Sequence, residues 1–123
     1  VNSKLIDNKN EEKKIIRVSP EARADDLKKK YSNVKDISNN DLGTGTTVKI
    51  DNKEYKIIKI GDVNGDGETD EIDAILILRK SIDIIQFNNI QNEAADVDKD
   101  GNSDEIDALR ILRYTIGLNE IKY

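Results

Sequence analysis

The 123-residue sequence predicts two small units in tandem: an α+β module containing a β-hairpin, then a mainly α module of two loop–helix repeats joined by a short linking helix. Three observations predict this. The acidic stretch DVNGDGETDEID at 62–73 recurs as DVDKDGNSDEID at 96–107, an offset of 34 residues. Each copy runs into an apolar segment of helical period, 74–79 and 108–113. Upstream, 46–50 and 54–60 alternate apolar and polar residues around Asp51, Asn52 and Lys53, a hairpin pattern.

The elements follow in chain order. Residues 1–14 are rich in Asn, Lys and Glu and lack periodicity, so a largely disordered linker is expected. Val1 in place of Met leads to the expectation of a fragment of a longer or processed protein. Residues 15–60 form the α+β module. Residues 15–18 read as a strand, and Ser19, Pro20 and Glu21 as a helix start, with Ser as N-cap and Pro in the first position. Ala24, Leu27 and Tyr31 give that helix one buried stripe, and 34–37 read as a second strand. Val48, Ile50, Tyr55, Ile57 and Ile60 are the apolar contacts of the hairpin. Residues 61–123 hold the repeats, with a linking helix expected within 88–95. Tyr114 and residues 118–123 are expected to fold back as a clasp.

Composition narrows the chemistry. A net charge of −5 disfavours nucleic acid. Cys and His are both absent, which removes disulfides, thiolate nucleophiles, Cys/His zinc sites and His-based triads. A metal on this chain is held by oxygen, which points to a hard cation. No apolar run reaches the roughly 20 residues needed to span a bilayer. No serine has a recognisable partner base, so the chain is not expected to be an enzyme.

The repeated stretch carries a cation-binding pattern. Asp62, Asn64 and Asp66 occupy positions 1, 3 and 5, and Gly67 the sharp turn at 6. Glu68 offers a backbone carbonyl at 7, Asp70 reaches through water at 9, and Asp73 closes the shell at 12. The second copy places Asp96, Asp98, Asp100, Gly101, Asn102, Asp104 and Asp107 in the same order. This is the EF-hand loop pattern, with Asp where Glu is usual at the last position. Ligands at alternate residues let a curling backbone aim successive oxygens at one centre. Calcium takes six to eight oxygens at about 2.3–2.6 Å, whereas magnesium prefers a rigid octahedron with retained water. Two Ca²⁺ ions would move the net charge from −5 to −1, so the repeats are expected to be ordered by calcium and poorly folded in chelator.

The segment before Asp62 reads as strand and the segment before Asp96 is short, so each repeat reads as a loop followed by one helix, half an EF-hand. With those features, residues 61–118 resemble a dockerin, the calcium module that attaches secreted polysaccharide-degrading enzymes to cohesin domains of a scaffold, as in cellulosomes. Residues 15–60 resemble, more weakly, a small module found before dockerins in clostridial secreted and surface proteins. The resemblance implies a dockerin fold, two Ca²⁺, a cohesin partner, an extracellular or cell-surface location, and a parent protein that acts on carbohydrate. Carried onto this chain it places cohesin contacts at Glu71, Ile72, Leu78, Arg79 and Asp83, and at Glu105, Ile106, Leu112, Arg113 and Gly117. Glu-Ile and Leu stand where small hydroxyl and polar residues are common in the family. It also implies a single partner bound in either of two orientations.

Helical spacing points to the same face. Ala74, Ile77, Leu78 and Ser81 fall on one stripe, while Ile75, Leu78 and Ile82 fall on another that Leu109, Leu112 and Ile116 repeat. A helix this short in so small a domain is expected to leave one stripe for a partner. The alternative is that the N-terminal module or residues 83–95 cover it. The free chain is expected to be a monomer without membrane insertion. The rival readings are a calcium-stabilised structural spacer and a calcium buffer, and calcium-dependent capture of a partner separates them.

Overall fold

The computed structural model describes residues 5–31, 33–35, 42–121 and 123. Its elements are β1 (Ile15–Val18), α1 (Ala24–Lys30), β2 (Val34–Lys35), β3 (Thr47–Ile50), β4 (Lys53–Lys59), α2 (Glu71–Ser81), α3 (Asn89–Ala95) and α4 (Glu105–Thr115). The strands form one sheet in the order β1-β4-β3-β2. β3 and β4 are the expected hairpin, turned by Asp51 and Asn52 at φ 53° and 68°, the pair of left-handed residues that matches strand twist. β1 runs parallel to β4, with Ile16 opposite Ile57. β2 is confined to Val34 and Lys35; the expected continuation to Ile37 lies outside the described residues.

Two expectations are corrected. Residues 5–14 are not a disordered linker. Ile6 is fully buried and bridges Val18, and the Asp7 N–H donates to the Arg17 carbonyl at 2.8 Å. This segment covers the outer edge of β1, and the apolar Leu5–Ile6 pair anchors it despite its polar composition. The first helix starts at Ala24, not at Ser19. Residues 19–22 close a turn, with the Ala22 N–H on the Ser19 carbonyl at 3.0 Å. The Ser19 N–H is already taken by the Leu5 carbonyl at 2.8 Å. The Asp26 carboxylate instead accepts the Arg23 N–H at the helix start, 2.9 Å.

The sheet serves two cores. Ile16, Val18, Tyr55 and Ile57 face α1 and the N-terminal segment, packing with Ile6, Leu27, Val48 and Ile50. Ile15, Ile58 and Ile60 lie in the other core, with Ala74 and Ile77 of α2, Ala94 and Ala95 of α3, and Ala108 and Ile111 of α4. Alternation along β4 does this, because neighbouring residues of a strand point to opposite faces. Arg17 adds an ion pair to Glu93 of α3. The expected linking helix is α3, capped by the Asn88 side chain on the Gln91 N–H at 2.8 Å. Of the expected clasp, Ile121 returns into the second core with Tyr114 and Tyr123 against it, while Leu118 stays exposed.

Candidate metal loops and partner face

The two loops have nearly identical internal hydrogen bonds. Asp62 accepts the N–H groups of Asp66 at 3.1 Å and Gly67 at 3.0 Å; Asp96 accepts those of Asp100 at 3.1 Å and Gly101 at 2.9 Å. At the far end, Asp73 Oδ1 accepts the Val63 N–H at 2.8 Å and Asp107 Oδ1 the Val97 N–H at 2.9 Å. The other oxygens of Asp73 and Asp107 accept the N–H of the helix N-caps Asp70 and Asp104, at 2.9 and 3.0 Å. Asp70 and Asp104 in turn cap α2 and α4 by accepting the Ile72 and Ile106 N–H groups, each at 3.1 Å. The last acidic position of each loop is therefore also the first-turn cap of its helix, which ties ion binding to helix start.

The predicted ligands converge in part. Carboxylate oxygens of Asp62, Asp66 and Asp73 lie within 4.8 Å of one another, and so do those of Asp96, Asp98, Asp100 and Asp107. Asp70 groups with Asp66 and Glu68 instead of with Asp73. Asp104 is not in the second group. Asn64 Oδ1 accepts the Asp66 N–H at 3.2 Å within the first loop, and the Asn102 N–H donates to Asp100 at 2.9 Å in the second.

The electrostatics fit a hard divalent cation. Burial pushes Asp62 up to about 6, with Asp66 close by, and pushes Asp73 and Asp107 each up to about 7. Burial raises Asp96 as well, whereas the Asn102 N–H holds Asp100 below the usual carboxylate range. Crowded, desolvated carboxylates disfavour their own ionised forms. An all-oxygen set with several carboxylates suits calcium, whose charge would offset that cost.

The partner residues named from sequence are all at the surface. Ile72, Ile75, Leu78 and Ile82 are 49, 42, 40 and 67% exposed, and Ile106, Leu109, Leu112 and Ile116 are 47, 43, 38 and 71% exposed. Glu71, Arg79, Glu105 and Arg113 are exposed beside them. Among the described residues, neither the N-terminal module nor residues 83–95 cover this face. One stripe assignment is corrected: Ala74 and Ile77 are buried against α4, while Leu78 and Ser81 turn outward. Both helices end in a left-handed residue, Asp83 at φ 63° and Gly117 at φ 80°. Past them the Ile84 and Leu118 N–H groups return to the Arg79 and Arg113 carbonyls, each at 2.9 Å.

Sequence reasoning missed the residues that brace the first loop from outside. The Thr44 N–H donates to Asp62 Oδ2 at 2.9 Å, and the buried Lys59 ammonium donates to the Gly67 carbonyl at 2.9 Å. Two signals were present: a lysine inside the apolar run 57–60, and the mismatch of Gly65 with Lys99 between the repeats.

Among the described residues no helix is long and apolar enough to cross a membrane. Residues 60–115 match the family model of the dockerin type I domain, so this stretch is a dockerin module. Dockerin modules are non-catalytic, bind calcium and engage cohesin domains in general. No curated protein and no solved structure matches the chain.

Proposed function

We propose that this chain docks its parent protein onto a cohesin domain, in a calcium-dependent manner, through the outward faces of α2 and α4. The observation that carries the reading is the pair of exposed apolar stripes, related by the repeat and each rooted in an acidic loop. Two Ca²⁺ ions are held, one by Asp62, Asn64, Asp66, Asp70, Asp73 and the Glu68 carbonyl. The other is held by Asp96, Asp98, Asp100, Asp104, Asp107 and the Asn102 carbonyl. The ions fix the first turns of the helices and so the spacing of Ile72, Leu78 and Arg79, and of Ile106, Leu112 and Arg113. The parent is a secreted or surface protein acting on carbohydrate. The free chain is a monomer and takes no nucleic acid.

Residues 5–60 act as a structural support, because β1 and β4 supply one wall of the dockerin core. A calcium-stabilised spacer is the second reading, which the shared sheet favours by making a stiff unit. Exposed isoleucines and leucines on both repeats speak for docking, since a spacer has no use for them.

Immobilised chain should capture a cohesin-bearing protein from the source organism's secreted and surface proteins in calcium and release it in chelator. Two bound ions without any capture would put the spacer reading ahead. If one partner binds in either of two orientations, Ile72→Ala, Leu78→Ala and Arg79→Ala together leave binding largely intact. Adding Ile106→Ala, Leu112→Ala and Arg113→Ala then removes it. Loss with the first three alone would exclude two orientations.

A further inference from the structure

We infer that the N-terminal module is a positioning element for the first acidic loop alone, so that the first loop is ordered before any ion arrives and fills first. The inference rests on the calcium reading above. Thr44 gives its N–H to Asp62 Oδ2, the oxygen that also takes the Gly67 N–H. Thr44 is itself pinned, because its hydroxyl accepts the Lys59 N–H at 2.9 Å and donates to the Lys59 carbonyl at 3.0 Å. The Lys59 ammonium holds the Gly67 carbonyl. Gly43 lies so close that a Cβ there would stand 2.7 Å from the Gly65 carbonyl oxygen. Each of these braces comes from outside residues 62–73.

The second loop is supported differently. Asp96 takes its donors from Asp100 and Gly101, both inside its own loop. Lys80 holds the loop's exit at Ser103, past the first four ligand positions. Arg110 stands 4.0 Å from the Asp98 carboxylate, a ligand that an ion must share with it. Lys99 sits at φ 61° where the first loop has Gly65, so the second loop also carries backbone strain. Ordering a loop costs conformational entropy, and a loop already ordered by its neighbours binds without that cost.

The test uses the full chain and the amide signals of Gly67 and Gly101, each of which donates to the first aspartate of its own loop. In chelator, exchange of the Gly67 amide should be about tenfold slower than that of Gly101, the size of one hydrogen bond to a charged group. Lys59→Met should shrink that difference, leaving the part that the Thr44 N–H supplies. During a calcium titration Gly67 should reach its end point before Gly101. Gly43→Ala should delay Gly67 and leave Gly101 where it was. If the variants fail to fold, the wild-type exchange and titration decide alone. Equal protection in chelator, Gly101 filling first, or equal delay of both amides in Gly43→Ala would overturn the inference. No calcium response at either amide would overturn the calcium reading on which it stands.

Discussion

The two acidic loops are near copies in their internal hydrogen bonds and differ in their surroundings. Asp62 is fully buried and takes an N–H from Thr44, while Asp96 is part-exposed and served within its loop. The duplicated residues therefore specify the curl of the loop, and residues far upstream specify how firmly the curl is held. A motif match alone reports the first property and is silent on the second.

Calcium removal should produce the largest effect and break the comparison open. A ligand at a thousandfold its dissociation constant contributes about 4 kcal/mol per site. Hydrogen exchange in chelator should show α4 and residues 96–107 losing protection while β1, β3 and β4 keep theirs. Equal loss across the chain would mean that the sheet does not outlast the loops.

Next in size is the contrast between Asp62→Ala and Asp96→Ala. The first strips a buried acceptor from donors in both modules and should cost about 3 kcal/mol or more in calcium. The second should cost about 1 kcal/mol beyond its lost ion, because its orphaned N–H groups meet water. Denaturant unfolding of both variants, with and without calcium, checks the order.

The smallest effect sharpens the comparison at the helix ends. Asp83 and Gly117 are equivalent, and only the glycine adopts its left-handed conformation freely. Asp83→Gly should therefore stabilise the chain by roughly 0.5 kcal/mol, strain relief slightly outweighing the looser unfolded chain. Thermal unfolding of the variant would show a small rise, and a fall would mean that the Asp83 side chain is itself used.

Much of this was legible in the sequence because it is local. The loop spacing, the Asp51–Asn52 turn and the outward leucines and isoleucines all lie within a turn or a helix of their cause. What was not legible depends on distant pairing. Leu5 and Ile6 read as a short apolar pair in a polar tail until Ile6 meets Val18. Thr44 reads as a turn residue and Lys59 as a hairpin residue until the fold brings them against residues 62–67. α1 starts at Ala24, where Asp26 accepts the Arg23 N–H, while residues 19–22 close a turn of their own.

The parallel pairing of Ile16 with Ile57 also has a kinetic consequence. Contacts between distant parts of the chain form slowly, since a long loop must close before it is rewarded. The second loop takes the donors to Asp96 from within itself, whereas α4 packs on the same core as Ile15 and Ile58. Refolding in calcium should then proceed in two phases, the second loop early, and the sheet with the first loop and α4 late. The same pairing that firms the first loop in the finished molecule makes it the last part to assemble.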